Sequence, residues 1–412
     1  MDFNDSPDEA SFRAEVRAWL SDNAPARTLA RDRSMPAAEE LALARAWQAK
    51  KAAAGYAQMT WPKAWGGGGG TPMQQVIFSQ EEARFCPSDL HFGIGLGMCV
   101  PTVMAYSDEE TKARFVGPAV RGEEIWCQMF SEPAAGSDLA GLRTRAVPVK
   151  GDDGGDEWLI NGQKVWTSGA QNSDFGLLLT RTNSDVPKHK GLTMFWLDMK
   201  TAGIEIRPIH QMSGGSHFNE IYMSDVRLKD SQRLGAVNDG WRVALVTLMN
   251  ERLAVSGLTG ASHQHILDLA RVVRDGSSVM LADQAFREKL ADWFVQAEGL
   301  KYTRFRTMTA LSRGEAPGPE SSIGKLISAN QLQDLSNSAI ELIDQYGIID
   351  EPGATPMEAI FQASVMSSPG LRIAGGTDEI LKNIIAERVL GLPGDIRVDK
   401  DLPFKELPVG RS

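Results

Sequence analysis

Hydrophobic residues recur at helical spacing over the first part of the chain. Phe12, Val16, Trp19 and Leu20 share one face, and a second amphipathic stretch covers residues 37–54. Trp61-Pro62 and the run Gly66 to Gly70 then break the pattern. Consecutive glycines cost too much chain entropy for a helix or strand interior, so this run is read as a loop. Near Gly122 the texture changes to short, turn-bounded segments: Gly176 to Thr180, Leu192 to Met199, Ile204 to Ile209 and Asn219 to Val226. Asn161-Gly162, between the short runs of Glu157 to Val165, reads as a hairpin turn. After Asn238 the helical pattern returns near 239–274, 280–314, 318–346 and 376–391, and the Pro- and charge-rich residues after Leu392 read as a tail. The predicted fold class is α+β, in three parts: an N-terminal helical domain 1–121, a middle antiparallel β domain 122–232 and a C-terminal helical bundle 233–412. No internal repeat is seen.

One residue breaks the apolar logic of the bundle. From Asn238 to Asp275 the pattern is helical, with Asn238 and Asp239 suited to capping its start. Ala244, Leu248, Val255 and Leu258 follow one another at spacings of four, seven and three residues, which keeps them on one face, and Glu251 falls on it. Desolvation disfavours a buried carboxylate's charge, so such a group is paired, neutralised or used. Two readings stand at this point: a structural ion pair, or a general base tuned for proton abstraction.

Composition narrows the function classes. With 412 residues, 42% of them hydrophobic, the chain can bury a large core. A formal charge of -10 argues against general nucleic-acid binding, which calls for a basic face. Cys86, Cys99 and Cys127 show no CxxC spacing and read as thiols of a reducing compartment. There is no apolar run of about eighteen residues, and the first residues are acidic and polar. The expectation is a cytoplasmic protein with no membrane span and no secretory signal.

Several familiar sites are missing: no GxGxxG after a strand, no GxxxxGK[ST], no GxSxG and no HExxH. His263 and His265 are two apart and so lie on different helix faces; no metal site is expected. Three segments remain. The first is Gln128-Met129-Phe130-Ser131-Glu132-Pro133-Ala134-Ala135-Gly136-Ser137-Asp138. The second is Asn161-Gly162-Gln163-Lys164-Val165-Trp166-Thr167-Ser168-Gly169. The third runs from Ala374-Gly375-Gly376-Thr377-Asp378-Glu379-Ile380 to Glu387-Arg388-Val389-Leu390-Gly391. Each alone has an ordinary reading as a turn, a core strand or a helix start. In this order around a β domain they resemble the acyl-CoA dehydrogenase family of flavoproteins, and Trp61-Pro62-Lys63 with the glycines to Gly70 resembles that family's WPxxxGG segment. The resemblance spans nearly the whole chain.

That resemblance implies FAD, because no protein side chain accepts a hydride. It implies flavin contacts from Gln128, Phe130, Ser131, Gly136, Trp166, Thr167 and Ser168, with Thr377 and Glu379 near the phosphate and adenosine end. Acyl-CoA would pass Gly136 and Ser137, with Arg252, Gly376 and Arg388 also assigned to the substrate. Many members carry the base just before the Gly-Thr of the third segment, where this chain has Gly375. A subgroup resembling the isovaleryl- and long-chain enzymes carries it on the helix after the β domain, in a Glu-Arg-Leu context, as in Asn250-Glu251-Arg252-Leu253. Glu251 is therefore reached twice, from the helix face and from the resemblance.

The implied reaction forms a 2,3-enoyl-CoA, with electrons passed to an electron-transfer flavoprotein, on a bulky or branched acyl group such as a steroid side chain. The implied assembly is a homo-oligomer, dimer or tetramer, or a heterotetramer with a sister subunit. Two elements depart from the pattern: Arg271 to Gly276 reads RVVRDG in place of RxxFG, and Gln-x-x-Gly-Gly is reduced to Gln345-Tyr346-Gly347-Ile348 after Asp344. Both supply cross-subunit FAD contacts in the family. The alternative is thus an FAD-poor partner subunit of a hetero-oligomer.

Overall fold

Helices begin where the sequence supplies caps. In the computed structural model, which describes residues 5–25, 35–85, 91–254, 260–275, 278–312, 318–319 and 321–407, Ser6 and Glu9 form a capping box at the start of α1 (Pro7–Asn23). Helices α2 (Ala37–Ala53), α3 (Pro72–Phe85), α4 (Val100–Tyr106) and α5 (Glu109–Val120) follow. The glycine run is a loop, as expected: a Cβ on Gly68 would lie 2.5 Å from the Gly55 carbonyl oxygen.

The middle of the chain is an eight-stranded sheet. Its strands are β1 (Trp126–Met129), β2 (Arg145–Lys150), β3 (Asp156–Ser168), β4 (Phe175–Arg181), β5 (Leu192–Asp198), β6 (Ile204–Ile209), β7 (Phe218–Lys229) and β8 (Arg233–Leu234). The order is β6-β7-β3-β2-β4-β5-β8, with β1 beside β4. Most neighbours are antiparallel, as predicted. Two exceptions are parallel: β1 with β4, and the single pairing of Arg145 with Arg181. Strand β4 is buried at every position because both faces are covered. Leu177 and Leu179 meet the helical side with Phe115, Val116 and Val243, while Leu178 meets Ile160, Phe195 and Ile221 on the other.

The hairpin reading of Asn161-Gly162 is wrong. Strand β3 runs straight through these residues, which form a bulge where its register against β7 shifts between Ile160 and Gly162. Asn161 exchanges two hydrogen bonds with Asp225 of β7, at 2.9 and 3.0 Å. The turn lies earlier, where Gly151 and Gly155 close the β2–β3 hairpin. Gly162 is needed for close approach instead: a Cβ there would lie 2.7 Å from the Thr144 Cα. Gly162→Ala is expected to lower unfolding free energy by about 1–3 kcal/mol, the usual cost of overpacking, measured by urea denaturation; an unchanged midpoint would show that the backbone yields freely.

The remaining elements are α6 (Gly240–Ala254), α7 (His263–Val272), the short pair β9 (Arg274–Asp275) and β10 (Ser278–Val279), α8 (Gln284–Ser312), α9 (Ser321–Ile343), α10 (Ile360–Leu371), α11 (Asp378–Ile384) and a π-helical turn, Ile385–Val389. The single helix expected over Asn238 to Asp275 is thus two, α6 and α7. Helix α10 was not predicted, because its buried positions mix Phe361 with Gln362, Ser364 and Ser368 and show no apolar period.

Two compact units emerge. One joins the sheet to α2, α4, α5 and α6 with residues 395–407. The other holds α1, α3 and α7 to α11 around a core that includes Leu269, Trp293, Leu335 and Phe361. In that second unit Glu81 of α3 is fully buried and takes ion pairs from Arg13 and Arg17 of α1 and from Arg84. Among the described residues, no helix is long and apolar enough to cross a membrane.

Candidate active site

Strand β3 carries the second segment. Its alternation turns Trp158, Ile160 and Lys164 inward. A second register shift, between Lys164 and Thr167, makes a bulge that holds Trp166 at a left-handed φ of 61°. That conformation is uncommon for a bulky residue and persists only where the surroundings impose it. The result is an indole 58% exposed, with its ring edge-on to Phe218 at 5.9 Å. Thr167 beside it is buried, its carbonyl accepts from Asn219, and its Oγ1 has no hydrogen-bond partner among the described residues. Ser168, next along, is half-buried.

The first segment is fastened to this bulge. Lys164 is wholly buried; its Nζ donates to the Phe130 carbonyl at 3.0 Å and to Glu132 Oε1 at 2.8 Å. Glu132 also accepts from the amides of Arg143 and Thr144, at 2.6 and 2.9 Å. The Val165 amide donates to the Ser131 carbonyl at 2.9 Å. Burial raises the Glu132 carboxyl, but the Lys164 ammonium and the two bonds from Arg143 and Thr144 outweigh it and hold the group below its ordinary value. Phe130 and Ser131 are thereby set beside Val165-Trp166. Gln128 is half-buried on β1, and Gly136 and Ser137 are exposed on the loop that follows.

Helix α6 carries Glu251 and Arg252. Ala244 is buried, Leu248 packs against the same core, and Thr247 Oγ1 shares a hydrogen bond of 2.8 Å with Thr102 of α4. By helical spacing, position 251 falls on this face, one turn beyond Thr247. The side chains of Glu251 and Arg252, and all of Val255 and Leu258, lie outside the described residues.

The third segment belongs to the other unit. Thr377 caps α11, accepting from the Ile380 amide at 3.3 Å. Asp378 is buried against Arg372 at 2.7 Å and accepts from Asn330, and the Gly376 carbonyl accepts from Lys325 Nζ at 2.7 Å. Glu379 is exposed in the first turn, and Arg388 is exposed on the π-helical turn.

Comparison with known proteins decides the family. Models for the N-terminal, middle and C-terminal domains of acyl-CoA dehydrogenases match residues 6–123, 127–229 and 238–390. The chain belongs to the acyl-CoA dehydrogenase family. It is similar to acyl-CoA dehydrogenase IpdE1 of Mycobacterium tuberculosis, 36% identical over 95% of this chain and 99% of that protein. Acyl-CoA dehydrogenase FadE34 of the same organism is 40% identical over 81% of this chain, which spans 44% of FadE34's length. Among solved structures, the ChsE4-ChsE5 complex from Mycobacterium tuberculosis is similar with a TM-score of 0.78 and 26% identity, covering 96% of this chain and 100% of that one. As an acyl-CoA dehydrogenase the protein is an oxidoreductase, and its order of helices, sheet and helices is that of the family fold.

Four residues that the sequence reading did not single out make contacts around the candidate segments: Lys164 with Glu132 at 2.8 Å, and Arg181, whose Cζ lies 3.5 Å from the Phe404 ring centroid. A signal existed for Lys164, a lysine at an inward position of an alternating strand. For Glu132 there was none, since its partner arrives through the fold. Arg181 and Phe404 are far apart in sequence, and nothing local to either marks the contact between them. Of the two departures from the family pattern, Asp344–Ile348 forms a 3-10 turn whose Tyr346 carbonyl accepts from Thr355 and Gln362. Arg271 of the other pairs with Asp268 at 2.7 Å, and residues 276–277 lie outside the described residues.

Proposed function

We propose that this chain is an FAD-dependent acyl-CoA dehydrogenase that forms a 2,3-enoyl-CoA from a bulky or branched acyl-CoA. The observation that carries the reading is the Trp166 indole, held exposed on a strained bulge that the buried Lys164–Glu132 pair locks to Ser131. Such a ring offers a wall for a planar cofactor, and the unpartnered Thr167 Oγ1 beside it is a polar atom that a ligand or a water would satisfy. Gln128, Phe130, Ser131, Gly136, Trp166, Thr167 and Ser168 would hold the flavin ring, with Thr377 and Glu379 towards the phosphates and adenosine. When bound, the flavin supplies the hydride acceptor for the β-carbon. Glu251 takes the α-proton, and Ser137, Arg252, Gly376 and Arg388 contact the substrate. Electrons would leave to an electron-transfer flavoprotein.

The acyl preference rests on Gly375 and Gly376, which leave no side chain where many relatives place their glutamate. Their φ angles of 65° and 95° show that the turn itself favours glycine. The recess beside the thioester is then a consequence that a large acyl group can use.

A second reading is supported by the altered elements at residues 271–276 and 344–348 and by the likeness to the ChsE4-ChsE5 complex. In it, the chain is a subunit of a hetero-oligomer whose flavin is completed by a sister chain. Purification of this chain alone tests both readings: flavin absorbance in the isolated protein supports the first, and a colourless, folded protein the second. A panel of butyryl-, octanoyl-, isobutyryl-, isovaleryl- and steroid-side-chain CoA thioesters, assayed with an artificial electron acceptor, is expected to favour the branched and bulky members. Best turnover on butyryl-CoA would refute that preference.

A further inference from the structure

Residues after the last helix do not trail away. The stretch Asp395–Leu407 clusters with the sheet unit and lies along the β4–β5 connection. The Phe404 and Lys405 amides donate to the carbonyls of Val186 and Ser184 at 2.9 and 3.0 Å, and Pro403 bridges Pro187. Asp399 accepts from Lys188 Nζ at 2.6 Å, and Lys405 pairs with Asp185 at 2.8 Å.

Two of the residues under this stretch reach the loop Gly136–Leu142, which begins within the first segment. Arg181, at the end of β4, is 3% exposed. Its guanidinium donates to the carbonyls of Ala140, Leu142 and Lys188, at 2.5, 3.0 and 3.2 Å. The Phe404 ring centroid lies 3.5 Å from its Cζ, so the ring caps the planar cation. Lys188 Nζ, besides Asp399, donates to Asp138 Oδ2 at 3.0 Å. The loop is held by a 3-10 turn, Leu139–Gly141, by the burial of Leu139, Ala140 and Leu142 in the core, and by Glu132, which accepts from the Arg143 amide just after it. Arg181 and Lys188 are the cations that reach it from the end of β4 and the connection beyond, and Phe404 and Asp399 engage them in turn. With Phe404 gone, water would reach the guanidinium and compete for the two loop carbonyls.

We infer that Asp395–Leu407 is a positioning strap for the loop Gly136–Leu142, acting through Phe404 on Arg181 and through Asp399 on Lys188. Phe404, Lys188 and Asp399 are thus positioning residues for substrate binding. This rests on the proposed role of Ser137 beside the acyl-CoA. The strap contacts lie outside the Trp166 bulge, and of the proposed flavin contacts only Gly136 lies on the strapped loop, so the strap acts chiefly on how the thioester is held.

Full-length Phe404→Ala, Phe404→Tyr and Asp399→Asn test it with two separate readouts. In Phe404→Ala, hydrogen exchange of peptides covering 136–142 should accelerate about tenfold, the scale of one desolvated cation–aromatic contact, while β6–β7 peptides stay unchanged. KM for the best thioester of the panel should rise by a similar factor with kcat little altered. Phe404→Tyr, which keeps a ring, should restore both, and Asp399→Asn should accelerate the same peptides to a smaller extent. Unchanged exchange at 136–142, acceleration spread evenly over the sheet unit, or a fall in kcat at constant KM would each overturn the strap. If no thioester is oxidised at all, the dehydrogenase reading fails, while the exchange experiment still decides whether the strap exists.

Discussion

Glu251→Gln is expected to leave the protein folded and flavin bound while bleaching of the flavin by acyl-CoA slows by about a hundred- to ten-thousand-fold, the range contributed by a positioned general base. Gln keeps the shape and one acceptor oxygen but cannot take the α-proton. The helix that presents residue 251 is fixed independently: Ala244 is buried, and Thr247 bonds Thr102 across to α4. A loss of activity in this variant would therefore reflect missing basicity, with α6 still in place. The measurement is single-turnover flavin reduction in a stopped-flow instrument, alongside flavin content per chain. Near-normal bleaching by the variant would remove Glu251 from the role and turn attention to Glu379 and Glu387. Equal loss of flavin and activity would assign Glu251 a structural ion pair, the other reading of a carboxylate on an apolar stripe.

The fold was legible in the sequence wherever one period dominated. Ile204 to Ile209 was read with its observed bounds, and Gly176 to Thr180 and Leu192 to Met199 lie within one residue of β4 and β5. The reading failed where a local signal had two meanings. Asn-Gly marks a tight turn in most contexts, yet here the asparagine bonds Asp225 across a bulge and the glycine admits Thr144. A helix with Gln362, Ser364 and Ser368 on its buried positions shows no stripe to find.

The candidate site was legible as motifs but not as a machine. Trp166 could be named from its neighbours in sequence. Its left-handed backbone and exposed ring could not, because they depend on a register shift set by strand β7. The parts that hold the motifs in place are contacts between residues tens to hundreds of positions apart. Lys164 meets Glu132, and Arg181 meets Phe404, through the topology of the sheet and the return of the last residues to it.

Removing the cation that joins the two site segments should have the largest effect on stability. Lys164→Met leaves Glu132 buried without its direct ion-pair partner and with only the more distant Arg181 cation acting on it, and breaking one side of such a pair costs about 3–5 kcal/mol. The Phe130 carbonyl loses its donor at the same time. Urea unfolding at neutral pH should show that loss, and flavin content should fall with it, since Phe130, Ser131 and Trp166 are registered through this contact. The pH dependence carries the sign of the cause. In the native protein the Glu132 carboxyl is held below its ordinary value, so its contribution is present above about pH 4.3 and fades as pH falls through the depressed native value. In Lys164→Met, burial is opposed only by the bonds from Arg143 and Thr144 and by charges farther away, so the carboxyl rises from its native value, and the penalty is felt at neutral pH and relieved once Glu132 is protonated. The stability gap between the two proteins should therefore narrow from pH 7 to pH 4. The double variant Lys164→Met/Glu132→Gln, which removes both charges and keeps an acceptor for one of the amides of Arg143 and Thr144, should recover most of the lost stability at neutral pH. A gap that stays constant with pH, or a double variant no better than the single one, would mean that Lys164 stabilises through its packing and not through its charge.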